Sequence, residues 1–278
     1  MRFVKLQVVI LDEFRLRLVQ ISQQLPSPWE TPFIQLMNSF WYLSFVLDEW
    51  NDMEIFIRLQ NQSAMRGVFD SIAEMYRHVW KQRAADLCRS FYQCTSMHLS
   101  RYRKVRWFSL DFQKPSDITP SFCPFLLEIR RLLAKVATSI AADSALPIYQ
   151  ALNRKVSEIL DEIISENSFS CNGAAQMLFD ITSGLIPILN AAYGRSCSGN
   201  FDVLDDSKMQ ENVAALHLLS LPVPTAVLLC SELECSPEEM TPTILKSYNA
   251  SCISREKALR LFTQRCDVQM YHGNKVHL

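Results

Sequence analysis

The sequence predicts an all-α protein, built as an elongated stack of antiparallel helical bundles. Three observations carry that prediction. Apolar residues make up 49% of the 278 positions, enough to bury a sizeable core. Only 6 glycines are present, few for the tight turns of a β protein. Apolar positions recur at spacings of three and four along most of the chain, and no segment alternates strictly enough to be a strand.

The elements follow in order. Phe3 to about Gln23 reads as a helix through Val4, Val8, Leu11 and Leu18, and it stops at Pro26 and Pro28. Thr31 can cap a second helix, with Pro32 suited to its first turn. That helix runs to about Trp50 and is apolar on nearly all sides, which predicts burial of Phe40, Trp41, Tyr42, Phe45 and Trp50 in a core. A short helix near Met53 to Leu59 follows. After Gly67 a long pattern, striped by Val68, Ile72, Met75 and Val79, can extend to Trp107.

Lys114, Pro115 and Pro120 mark a loop and divide the chain into a first bundle, residues 1–115, and a second, residues 116–278. The clearest periodicity opens the second: Leu126, Ile129, Leu133, Val136 and Ile140, then Ile148, Leu152, Val156, Ile159 and Ile163. Pro147 lies between the two series and is expected to kink or break the element. A helix over Gly173 to Tyr193 has a second expected break at Pro187, and Asn190 to Asp206 reads as a loop. Shorter helices are expected over Lys208–Leu221, Thr225–Leu233, Pro237–Tyr248 and Ser254–Arg265. Ser236 and Glu239 suggest a capping box at the third of these, and the tail from Tyr271 is expected to fray.

Composition narrows the function. The net charge is −1 and nothing advertises nucleic acid as a general partner. The 9 cysteines are odd in number and scattered, with no CxxC pair, and the histidines show no zinc-type spacing beside them. No apolar run approaches the ~20 residues needed to span a bilayer, and the N-terminus lacks a signal core. These features fit a cytoplasmic protein. The nucleotide-binding, metalloprotease and serine-hydrolase signatures are absent, and Asp205-Asp206 continues as Ser-Lys-Met rather than as a magnesium-binding acidic motif. His217 reads as a core or boundary histidine, and Asp161, Glu162 and Glu166 as a solvated helix face. No catalytic residue, metal or cofactor is expected.

One local charge feature stands out. In RYRKVRWF, Arg101, Arg103, Lys104 and Arg106 are interleaved with Tyr102, Val105 and Trp107. These cations are the candidate partner-binding residues, for an acidic protein, an acidic lipid surface or RNA. The plainer alternative is a solvated helix end, where cations favour the dipole.

Five segments carry a resemblance, in order and spacing: VVILDEFRLRLVQI (Val8–Ile21), LDEWNDMEIFIRLQ (Leu47–Gln60), CPFLLEIRRLL (Cys123–Leu133), GAAQMLFDIT (Gly173–Thr182) and ALRLFTQRCDV (Ala258–Val268). Together they resemble the C-terminal half of the RINT/TIP family of vesicle-tethering subunits. The stretch after Leu221, with Pro222 and Pro224, and the tail YHGNKVHL depart from the pattern. The resemblance implies an exocyst-like rod of helical bundles. It implies a non-catalytic subunit of a Dsl-type (NRZ) complex, peripheral at the endoplasmic reticulum membrane, that tethers COPI vesicles returning from the Golgi. Its partners would be ER SNARE N-terminal domains and other tethering subunits. The family's helix for the ZW-type subunit lies at its N-terminus and has no counterpart here, which puts that interaction in doubt. The rivals are a helical module for acidic lipid or RNA acting through Arg101–Arg106, and a cryptic all-α enzyme.

Overall fold

The computed structural model describes residues 2–58, 67–110, 115–196 and 202–268. Among them no strand occurs, only an isolated bridge between Phe169 and Arg265. The all-α prediction is therefore borne out. The residues form two compact units, one of Met1–Phe91 with Ala134–Ile148, the other of Tyr92–Leu133 with Tyr149–Leu278.

The first unit is built on α1 (Arg2–Gln24), α2 (Thr31–Asn51), α3 (Glu54–Ile57) and most of α4 (Asp70–Ser96). Phe33, Ile34, Met37 and Phe40 of α2 and Ile72, Tyr76 and Trp80 of α4 are buried in its core, with the Phe40 and Tyr76 rings 6.1 Å apart. The Tyr76 hydroxyl donates to the Leu11 carbonyl at 2.7 Å, which ties α4 to α1. α2 starts with Pro32 in its first turn as expected, but Glu30 occupies the cap position and no side chain caps it. Core placement holds for Phe40, whereas Tyr42 is 65% exposed and Phe45 56% exposed. A helix apolar all round still offers only part of its circumference to its neighbours, and these two rings lie on the uncovered side. α4 ends at Ser96, short of Trp107, and continues as 3-10 turns.

The junction of α5 (Cys123–Ser139) and α6 (Ala142–Glu166) belongs partly to the first unit. The interruption predicted at Pro147 occurs instead at residues 140–141, and α6 runs through the proline. Asn38 explains the placement. Its amide donates to the Ser139 carbonyl at 2.7 Å and accepts from the Ala141 N–H at 3.0 Å, so the broken turn keeps its partners. Pro147 sits near the start of α6, where its missing N–H costs one backbone bond.

In the second unit, α7 (Cys171–Phe179) runs through a π-helical turn (Asp180–Leu185) into α8 (Ile186–Ser196). Pro187 therefore does not break the helix. It cannot donate to the preceding turn, and the wider π register just before it absorbs the mismatch. Asn190–Ser196, expected as loop, is helical. α9 (Ser207–Leu219), α10 (Val223–Cys235), α11 (Thr241–Lys246) and α12 (Arg255–Thr263) complete the unit. Asp206 caps α9 through the Lys208 and Met209 N–H groups, and Ser254 caps α12 through that of Lys257. The capping box expected at Ser236 does not form: the segment opens as a 3-10 turn behind Pro237 with no side-chain cap. α9 is central, packed against both α7 and α12, and α10 lies on α12. The tail from Tyr271 and the end of the short helix at Leu59 lie outside the described residues. Among the described residues no single helix is long and apolar enough to cross a membrane.

Candidate functional site

The basic segment is not a helix end. Met97–Leu99 and Tyr102–Lys104 form successive 3-10 turns, joined through Ser100 and Arg101 in helical conformation. A 3-10 helix has 3.0 residues per turn, so residues three apart stand over one another. Leu99 and Tyr102 form the buried edge, and His98, Arg101 and Lys104 the exposed one. Tyr102 stacks on Phe122 at 4.4 Å and meets Trp107 edge-on at 4.9 Å. Two aromatics interleaved with the cations are thus core residues.

The four candidate cations part company. Arg103 is turned back on the protein: it donates to Glu162 at 2.7 Å and to Glu166 at 2.9 Å. Burial opposes its charge, but the bonds and charges of the two carboxylates outweigh that and hold its pKa above the ordinary value. Tyr92 also donates to Glu162, at 3.0 Å. Burial first, then Glu162, pushes the Tyr92 phenol up. Arg101, Lys104 and Arg106 are exposed and form no ion pair with a described residue. The acidic face expected to be solvated is likewise engaged, because Asp161 pairs with Lys257 at 3.3 Å beside Glu211 at 2.9 Å.

A second arrangement lies under the basic segment, in the GAAQMLFD stretch. Asp180 is fully buried in the π-helical turn. Its carboxylate accepts from the Tyr102 hydroxyl at 2.9 Å, the Thr119 N–H at 2.8 Å and the Gln176 amide at 3.0 Å. Gln176 also donates to the Asp117 carbonyl at 2.8 Å. Burial raises the pKa of Asp180 above 3.8 against the pull of these donors. Burial raises Tyr102 further still, reinforced by the Asp180 charge. The network fastens the proline-flanked loop and the basic segment to the core. Sequence reasoning missed it, although two polar residues four apart on an apolar helix, Gln176 and Asp180, were the available signal.

Gly173 has a definite task. A Cβ there would fall 1.8 Å from the Trp107 carbonyl oxygen. That oxygen also accepts from the Ser170 N–H at 3.3 Å and hydroxyl at 3.1 Å, so α7 begins directly on the turn that ends the basic segment.

The third feature is a groove of about 610 Å³ between α10 and α12, lined by Cys230, Glu234, Leu259, Arg260, Phe262 and Val268. Its floor is apolar and its edges are charged, as suits an amphipathic helix. His217 is half-buried on α9, and burial lowers its pKa. Among the described residues no three His, Cys, Asp or Glu side chains converge on a metal-sized site.

Comparison with known proteins agrees with the resemblance drawn from the five segments. The model of the RINT-1/TIP-1 family matches residues 1–265. A RINT1-like protein of Drosophila melanogaster is 23% identical over 283 residues, which is 98% of this chain and 37% of the fly protein. The chain thus spans little more than a third of that relative. In the crystal structure of the SNARE Sec20 bound to the Dsl1 complex subunit Tip20, one chain superposes with a TM-score of 0.64 at 16% identity, covering 84% of this chain and 41% of that one. At that identity the likeness establishes the fold.

Proposed function

The chain belongs to the RINT-1/TIP-1 family, and from that premise we propose that it is a non-catalytic tethering subunit that binds a helical SNARE domain. The observation that carries the proposal is the shared fold with a chain of the Sec20–Tip20 complex over 84% of this chain. In full, the proposal places the protein in a Dsl-type complex, peripheral at the endoplasmic reticulum membrane and acting in COPI-dependent return from the Golgi. The physical features support it. A tether needs stiffness and surfaces rather than a reaction pocket, and helices of 21 to 27 residues supply stiffness. The groove between α10 and α12 has the apolar floor that an amphipathic SNARE helix would fill.

A pull-down of the purified chain against cytosolic domains of ER SNAREs tests this, with the ZW-type subunit as a separate bait. SNARE retention is expected. Leu259→Glu should reduce it at least about tenfold by placing a charge on the groove floor, with an unchanged melting curve. If a folded helical sample retains no SNARE, the family relationship extends to fold alone. Retention unaffected by Leu259→Glu moves the docking face away from this groove.

A further inference from the structure

We propose that the 3-10 run from Met97 to Lys104, continued by Arg106 and Phe108, is a contact site for an anionic phospholipid surface. The inference goes beyond the SNARE proposal and stands or falls without it.

The argument begins with geometry. The period of three sets His98, Arg101 and Lys104 on one exposed edge, with Leu99 and Tyr102 buried behind it. Successive residues of that edge are about 6 Å apart along the axis. Arg106 follows in the connection to the next 3-10 turn. The edge is held rigidly, since Tyr102 is anchored on Asp180 and Arg103 on Glu162 and Glu166. It therefore presents its cations without first having to be ordered.

Charge comes next. Glu162 and Glu166 are both engaged by Arg103, so among the described ion pairs the segment sets four cations against two carboxylates. The cations that form no ion pair with a described residue, Arg101, Lys104 and Arg106, are those exposed to solvent. Two large apolar side chains flank them: Met97 is 71% exposed and Phe108 51% exposed. Cations beside an exposed aromatic and an exposed thioether suit the boundary between headgroups and acyl chains, which takes up apolar groups without a matching pocket.

RNA fits less well. A single-strand site stacks successive bases on exposed aromatics, whereas Tyr102 and Trp107 are buried.

The test is co-sedimentation of the intact chain with phosphatidylcholine vesicles, with and without a substantial fraction of phosphatidylserine, at low and high salt. Binding is expected only with phosphatidylserine and should weaken as salt rises. Each cation near such a surface strengthens partitioning about fivefold, so Arg101→Glu with Lys104→Glu should weaken it at least about 25-fold. Phe108→Ser should weaken it about tenfold through lost insertion. Lys208→Glu, at an exposed cation on α9, should leave it unchanged. Arg106→Glu serves as a second reversal if the double variant melts early. The proposal is overturned if folded protein stays in solution with phosphatidylserine vesicles at low salt. It is equally overturned if the reversals leave binding intact, or if Lys208→Glu weakens binding as much as they do. Failure with vesicles together with salt-sensitive retention on an acidic peptide assigns the edge to a protein partner instead.

Discussion

The phenol of Tyr102 and the carboxylate of Asp180 lie 78 residues apart in sequence and 2.9 Å apart in the core, both fully buried. Tyr102→Phe removes one donor from a buried carboxylate and should cost about 1.5–3 kcal/mol of unfolding free energy. Asp180→Ala should cost more, since it strands the Tyr102, Thr119 and Gln176 donors together. Urea denaturation of both variants checks this. Equal stability of Tyr102→Phe and wild type would remove the network from any account of the fold.

Two glycines should respond to alanine in opposite directions. At Gly173 the new Cβ meets the Trp107 backbone at 1.8 Å, and backbone cannot swing aside as a side chain can. Gly173→Ala should cost about 3 kcal/mol or more through displacement of α7. At Gly194 on α8 no described residue lies within 4 Å of the new Cβ, and Gly194→Ala should gain about 0.8–1 kcal/mol from helix propensity. Thermal melts of the pair provide an internal control.

Arg265 is buried and bidentate on Asp267, at 2.6 and 2.9 Å, and it also donates to the Leu219 and Leu221 carbonyls at the end of α9. Arg265→Met should cost about 3 kcal/mol by taking the charge partner from Asp267, which keeps the Cys171 N–H, and by leaving two carbonyls without this donor. For Asp267, burial raises the pKa, but the bonds and charge of Arg265 outweigh it and leave the group below 3.8. A depressed carboxylate stabilises the fold above its unfolded value and loses that contribution as pH falls through its folded value. The acid limb of the stability curve below about pH 4 should therefore be shallower in Asp267→Asn.

His217 has the mirror situation for a base. Burial lowers its pKa from 6.5, so the unfolded chain takes up this proton first as the solution is acidified. Its contribution is complete above pH 6.5 and is lost as pH falls from there through the folded-state value. Melting temperatures measured from pH 7.5 down to pH 5 (round limits on either side of the ordinary value) should fall less steeply in His217→Gln than in wild type. Parallel curves would show that His217 has no differential protonation.

Ile129 is fully buried on the main stripe of α5, whereas Leu127 two residues earlier is 66% exposed. Ile129→Asp should unfold the second unit, and Leu127→Asp should change stability by no more than about 0.5 kcal/mol. Circular dichroism distinguishes the two. An unchanged melt for Ile129→Asp would refute the placement of the core.

Much of this was legible before any coordinates. The stripes through Ile129, Leu133 and Val136, and through Leu152, Val156 and Ile159, are buried as their spacing requires. Family membership was legible too, because five segments kept their order. The candidate cations were visible as a cluster, yet nothing local distinguished Arg103 from Arg101 and Lys104. The failures at Pro147 and Pro187 have a common form. Proline marks a lost donor, but where a helix breaks depends on who can satisfy the exposed groups. Asn38, 103 residues before Ala141, supplied those bonds at one site, and a π-helical turn absorbed the mismatch at the other.

The sequence by itself determined the all-α class, the buried stripes of α5 and α6 and the family, because helical periodicity is set by residues three or four positions apart. Only the tertiary structure decided that Arg103 turns to Glu162 and Glu166, that Tyr102 and Gln176 converge on Asp180, and that the stretch Ala134–Ile148 packs into the first unit. The physical reason is range. A polar side chain must find a partner somewhere in the core, but which distant residue the connecting loops bring within 3 Å is not encoded in any local period.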